Sequence, residues 1–259
     1  MSKKLILFLI IFLFTNSIIC FSDDSNYYDD YNYFLSNVVL NGRVNYEKAG
    51  EDFMYTKLIR FLQFAGIVRL SAISPDEKLA LLINIYNAAT IKLIIENYPV
   101  NSIMEIDDPW STKIIVVQGE NVTLDYLEKN IIFNEFNDAR IHFLLNCSAV
   151  SCPPLLPYAL TGDNIDENLE GSAYNFINNS TFNKFEVVLN TSFFRRNDQR
   201  LVIYLSEIFS WYENDFINHF GSVKDCLIEY ISNREYKEFL NDDNFEISYM
   251  IYDWELNRY

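Results

Sequence analysis

The spacing of apolar and polar positions changes along the chain, and each change predicts an element. Phe53, Leu58, Phe61, Leu62 and Ala65 recur at helical spacing and predict a helix over 53–66. Ser74-Pro75-Asp76-Glu77 supplies an N-cap, a proline at the first helical position and a glutamate at the third, which is a capping box. Behind it, residues 79–96 are apolar nearly all round, the pattern of a buried helix, and the helix must stop before Pro99. Asn84 and Asn87 lie three apart inside it and share a face. Buried amides cost free energy unless hydrogen-bonded, so the two either bond neighbouring loops, the expected use, or line a cleft.

Shorter patterns fill in the rest. Residues 32–37 suit a helical turn or two, and 42–46 an extended stretch after a turn. A strand over 113–118 and a turn at 119–121 lead to Thr123, which caps a helix over 124–132. From 140 to 145 the residues alternate, Ile141, Phe143 and Leu145 against His142, Leu144 and Asn146, and this predicts a strand. A helix over 165–178 and strands over 186–189 and 201–205 follow. Ser206 and Glu207 start a helix that carries Phe209, Trp211, Tyr212 and Phe216, with another over 225–232 and an extended aromatic segment over 247–254. Helices and strands without regular alternation, repeats or Gly/Ser linkers indicate the α+β class. The expectation is a single domain with a small mixed or antiparallel sheet and several packed helices.

The first residues stand apart. Lys3 and Lys4 precede ten apolar residues, Leu5 to Phe14, too few for a membrane span and typical of a signal peptide over 1–22. Cys20 and Ser22 offer small side chains for cleavage after Ser22. A membrane attachment would need this segment to be retained, or Cys20 to be lipidated. Residues 23–36 are acidic and Tyr-rich and read as a mobile lead-in to a domain over 37–259. The expected location is therefore outside the cytoplasm, periplasmic or extracellular.

Composition narrows the function. With 20 Lys and Arg against 36 Asp and Glu, the net charge is −16, which argues against a nucleic-acid groove. A small molecule or a peptide is the expected substrate, and no cofactor is called for. Of four cysteines, Cys147, Cys152 and Cys226 remain after the signal segment. That odd number leaves at least one thiol free or paired between chains.

The densest polar constellation runs from Arg140 to Leu155, and its chemistry has four readings. A thiol nucleophile could work with His142 as base; Cys152, beyond a stretch long enough to turn and return, is favoured over Cys147. Asn84, Asn87 or Asn146 could orient the imidazole, and backbone N–H groups between Ser148 and Cys152 could serve as oxyanion donors. His142, Cys147 and Cys152 could instead hold a metal, although their spacing fits no familiar pattern. The two cysteines could form a disulfide, or be small buried side chains. Arg140 could bind an anionic group or pair with Glu128 or Asp125. His219 reads as a partner for a helix C-terminus.

His142-Phe143-Leu144-Leu145-Asn146-Cys147-Ser148-Ala149-Val150-Ser151-Cys152-Pro153-Pro154-Leu155 resembles the central signature of the family of domains of unknown function numbered 547 (DUF547). Asn41 to Tyr46, Asn84 to Ala88 with Tyr98-Pro99, Leu124-Asp125 with Glu128, Leu205 to Tyr212 with Asp215-Phe216, and Tyr252 to Asn257 follow the family's order. Ala139 departs from it, standing where proline is usual. The resemblance implies a DUF547-like domain over 37–259. Its His and Cys pattern has a papain- or transglutaminase-like look, which implies a cysteine-dependent hydrolase or acyl transferase acting on a peptide-like, amide or thioester substrate. The alternative is a non-catalytic envelope domain that binds a ligand or partner, with the cysteine pair structural.

Overall fold

The computed structural model describes residues 25–189 and 199–259; the expected signal segment, Cys20 included, lies outside the described residues. The chain runs α1 (Ser25–Val38), β1 (Val39–Leu40), β2 (Arg43–Val44), α2 (Tyr46–Ala49), α3 (Asp52–Ala65), α4 (Pro75–Asn97), β3 (Lys113–Val117) and β4 (Glu120–Thr123). Then come α5 (Phe133–Glu135), α6 (Ile165–Ile177), β5 (Lys184–Leu189), β6 (Gln199–Leu205), α7 (Ile208–Trp211), α8 (Glu213–Phe220), α9 (Val223–Tyr230), α10 (Arg234–Asn241) and β7 (Phe245–Tyr249). This is the α+β class that the pattern predicts.

The apolar run that follows the capping box is the axis of the first half. Ser74 Oγ accepts the Glu77 N–H at 3.1 Å, and every residue from Leu79 to Ile91 is buried. Although α4 is long and apolar enough to cross a membrane, it is a core helix here, mostly covered by protein. Against it pack α2, α3, α6 and β3, and α1 packs in turn on α3.

The acidic lead-in is a correction. Most of it is α1, and α1 is docked. Tyr28, Tyr31, Leu35 and Val38 form a buried stripe at spacings of three and four, Phe34 is fully buried beside it, and the Tyr31 ring stacks on Phe61 at 4.3 Å. Asp30, one of the acids that suggested a solvated arm, accepts Lys57 at 2.6 Å and Arg60 at 3.1 Å. The acidic composition hid a helical stripe of large aromatics.

The second half is built on a three-stranded mixed sheet. Central β6 runs antiparallel to β5 and parallel to β7, and α7 to α10 form the crossover that the parallel pair requires. Leu201, Ile203 and Leu205 of β6 share a core with Phe143, Phe176, Phe209 and Phe216. Trp254 packs against both this core and that of the first half.

Two local expectations differ from the structure. The expected strand over 140–145 is a 3-10 turn, Ala139–Phe143, with Asp138 Oδ1 accepting the Arg140 N–H. Both faces of the segment are buried, from Ile141 to Asn146 without interruption. The alternation therefore says nothing about which side meets solvent, and among the described residues no strand lies alongside to pair with it. The second hairpin turns at Gln118-Gly119, both at positive φ (52° and 84°), so Glu120 and Asn121 already belong to β4.

Replacing Phe34 by Ala empties a fully buried aromatic site in the α1 interface. It should cost about 3–5 kcal/mol, read as a lower midpoint in urea unfolding followed by far-UV circular dichroism. A loss below about 0.5 kcal/mol would mean that α1 is an appendage.

Candidate functional site

The chain leaving the 3-10 turn is held by side-chain amides. Asn87 of α4 donates to Leu144 O at 2.9 Å and accepts the Asn146 N–H at 2.8 Å. Asn146 in turn donates to Pro153 O at 2.7 Å, and its Oδ1 accepts Ser148 N–H at 2.8 Å and Asn257 Nδ2 at 3.1 Å. The short bond to Ser148 holds that residue at a positive φ of 64°, where a non-glycine backbone is strained. The C-terminal tail lies alongside, with Val150 N–H donating to Glu255 O and Asn257 N–H to Ser148 O. On the far side Gly42, at a φ of 78°, meets Pro154 so closely that a Cβ there would sit 2.4 Å from the proline ring. The loop thus folds back on itself, and Cys147 and Cys152 close it as a disulfide.

His142 stands at the head of this loop. Its ring lies between Phe133, with centroids 4.2 Å apart, and Tyr212 at 3.9 Å. Nε2 is 2.8 Å from Asp215 Oδ2 of α8. A carboxylate there selects the tautomer with the proton on Nε2 and leaves Nδ1 as the basic nitrogen. Among the described residues Nδ1 has no hydrogen-bond partner, and it is not sealed from solvent.

Both groups line one cavity of about 450 Å³. It opens between the two cores, with Tyr86 of α4, the helical turn around Glu128, α7 and the C-terminal tail as walls. Tyr252 O–H donates to Cys152 Sγ at 3.1 Å, and the Cys147 backbone N–H also points at that sulfur, at 2.9 Å. Glu128 sits on a π-helical turn, Tyr126–Ile132, a feature frequent at functional sites. It is buried, and Tyr212 O–H donates to it at 2.8 Å. The Tyr86 and Tyr212 phenols are held well above their ordinary range, first by burial and then by the Glu128 charge. Trp110, Trp211 and Trp254 join Tyr252 in one aromatic wall, with ring centroids 4.6–5.9 Å apart.

Of the residues singled out in the sequence, His142, Cys147 and Cys152 are brought together in this lining. The asparagines are not part of it. Asn84 both donates to and accepts from Leu160 backbone, at 2.7 and 3.0 Å, while Asn87 and Asn146 hold the loop. Asp215, rather than an asparagine, orients the imidazole. Arg140 faces away from the cavity into Asp138 and Glu170, so neither the anion site nor the pairing with Glu128 or Asp125 is formed. Four of the five expected oxyanion donors are already engaged: Ser148 N–H by Asn146, Val150 by Glu255, Ser151 by Asp253 and Cys152 by Ala149. With both sulfurs in a disulfide, a metal would find no thiolate. His219 sits in the last turn of α8, its Nδ1 3.1 Å from Asn137 O.

Asp215, Glu128, Tyr212 and Tyr252 are site residues that sequence reasoning missed, whereas Trp110, Trp211 and Trp254, which it reads as core or rim aromatics with a shared cleft left open, meet in this lining. Most stand in or beside the motifs carrying the family resemblance, which was their one signal. Residues 70–177 match the family model described as "Protein of unknown function, DUF547", so the resemblance is borne out over that segment. The span holds α4, Glu128, His142 and both loop cysteines; Asp215, α7 and the C-terminal tail lie beyond it. No curated protein matches the chain, and no solved structure does.

Cys226 is buried, and burial pushes its thiol well above the ordinary range. Native protein without reductant should therefore show no maleimide labelling at Cys147, Cys152 or Cys226, and denaturant should expose Cys226 alone among these three. Peptide mapping reads the sites; native labelling at Cys147 or Cys152 would contradict the disulfide. Asn146→Ala leaves Ser148 N–H, Pro153 O and Asn257 Nδ2 without their partner and should cost about 2–4 kcal/mol in urea unfolding.

Proposed function

We propose, for a chain whose central segment carries the DUF547 likeness, that the cavity beside His142 is a ligand-binding cleft of an exported protein. In the form with the Cys147–Cys152 disulfide it binds a small molecule or peptide-like segment and does not attack it. The observation that carries this reading is the disulfide itself, which lies in the cavity lining and leaves no thiolate there. The engaged N–H groups of the loop point the same way, because a tetrahedral oxyanion would find none of those four free to receive it.

A second reading rests on a different observation: both sulfurs and the His142–Asp215 pair lie at the same cavity. A dithiol reductant supplying two electrons and two protons would open the disulfide. Cys147, the more exposed partner, is the sulfur open to attack, which frees Cys152 as the leaving thiolate. Cys152 would be stabilised by the Tyr252 O–H and Cys147 N–H. From there it could attack an acyl carbon, forming an S–C bond, while His142 passes the proton to the departing amine or thiol. Water would then release the acid and restore the thiol. That is the hydrolase or acyl transferase chemistry which the family pattern implies.

One experiment separates the two. Oxidised and dithiothreitol-reduced protein are each treated with p-nitrophenyl acetate and weighed intact. The binding reading expects no acetyl adduct on Cys147 or Cys152 in either form. An adduct in the reduced form that disappears in Cys152→Ala and slows in His142→Ala would establish the thiol enzyme instead. In reduced protein, Tyr252→Phe removes one donor to the Cys152 thiolate. The pH midpoint for alkylation of Cys152 should rise by about one to two pH units, since a hydrogen bond to a charged group is worth roughly 1.5–3 kcal/mol. An unchanged midpoint would mean that the phenol does not support the thiolate.

A further inference from the structure

The cavity has a charge asymmetry that bears on what it binds. Among the described residues its lining holds three acidic or basic side chains apart from the histidine: Asp125, Glu128 and Lys129. Lys129 Nζ lies 3.0 Å from Asp125 Oδ1 on the exposed rim, so these two offset each other. His142 is turned to Asp215. Glu128 is only 4% exposed and makes no ion pair among the described residues. The Tyr212 group that donates to it is a neutral phenol. An ionised carboxylate in so dry a place is costly unless a cation meets it, and the described residues provide none.

The wall supplies the complementary half. Trp211, Trp254 and Tyr252 are mutually in contact, with centroids 4.6–5.7 Å apart, and Trp110 meets Trp254 edge-on at 5.9 Å. Indole and phenol faces carry negative potential and attract a cation within about 6 Å of the ring centre. A chain of net charge −16 also draws cations toward its surface. An aromatic wall with a buried, cation-free carboxylate in the same lining suits a positively charged ligand with an apolar surface, and it disfavours an anion.

We propose that the cavity recognises an organic cation, an alkylated ammonium group, with Glu128 as its counter-charge and the indoles of Trp211 and Trp254 as its cage. This deepens the binding-cleft reading and rests on it, since it names the ligand class of the same cavity.

The test uses the full chain in its disulfide form, with tryptophan fluorescence and calorimetry as readouts. Choline is titrated against its neutral isostere, 3,3-dimethylbutan-1-ol, which has the same shape without the charge. Choline should bind at least tenfold tighter than the isostere. Glu128→Gln should weaken choline about tenfold and leave the isostere within twofold. Because Glu128 is buried and its variant could fold poorly, Trp211→Leu at the exposed rim provides a second check and should weaken choline several-fold with an unchanged unfolding midpoint. Equal or tighter binding of the isostere overturns the cation inference and leaves the cleft standing. Choline affinity unmoved in both variants overturns it in the same way. If neither probe binds at millimolar concentration, the inference falls together with the binding-cleft reading.

Discussion

The side-chain amide of Asn146 is the contact on which the arrangement of the site depends. Its oxygen accepts from Ser148 and Asn257, its nitrogen donates to Pro153, and the backbone N–H of the same residue is taken by Asn87. Three stretches thus meet at one buried residue: the core helix α4, the cysteine loop and the C-terminal tail. A buried amide with all its groups bonded stiffens its surroundings, and one with a missing partner destabilises them. Satisfying this network is what holds Ser148 at positive φ and folds the loop so that the two sulfurs bond.

Everything in the cavity follows from that fold-back. The disulfide becomes part of the wall, with Tyr252 and the Cys147 N–H pointing at Cys152. Of the loop's backbone donors, Val150 and Ser151 are turned toward the tail, Ser148 toward Asn146 and Cys152 back to Ala149. A loop organised in this way is a better wall than a reaction centre, at least while the disulfide is closed. Redox state rather than geometry would then decide whether the sulfurs do chemistry.

The polar groups of the cavity fall into two sets with different partners. His142 is complete within the protein, stacked between two rings and hydrogen-bonded to Asp215, with one nitrogen left over. Glu128 is incomplete, because among the described residues its charge is met by O–H dipoles and by no cation. The first set is the one the thiol reading would use, and the second is the one the proposed cation would complete. Their proximity to one aromatic surface gives the cleft a definite polarity.

Much of the fold was legible along the chain. The capping box and the apolar run behind it specified α4 because caps and helical periodicity act within a few residues. The β3–β4 hairpin and the helix over 165–177 were also found, and so was the α+β class. Failures came where burial erased periodicity, as in the 3-10 turn at Ala139–Phe143, or where acidic composition masked a stripe, as in α1. The site was only half visible: His142, Cys147 and Cys152 stand within eleven residues of each other in a conspicuous motif. Asp215 and Tyr252 arrive from far along the chain, and nothing local in either residue marks it as a neighbour of that motif. The sequence by itself determined most of the elements and the His142, Cys147 and Cys152 part of the chemistry, since both depend on local spacing and residue type. Only the tertiary structure decided that the cysteines bond to each other, that an aspartate orients the histidine and that the asparagines hold the loop, because each is a pairing made across folded distance.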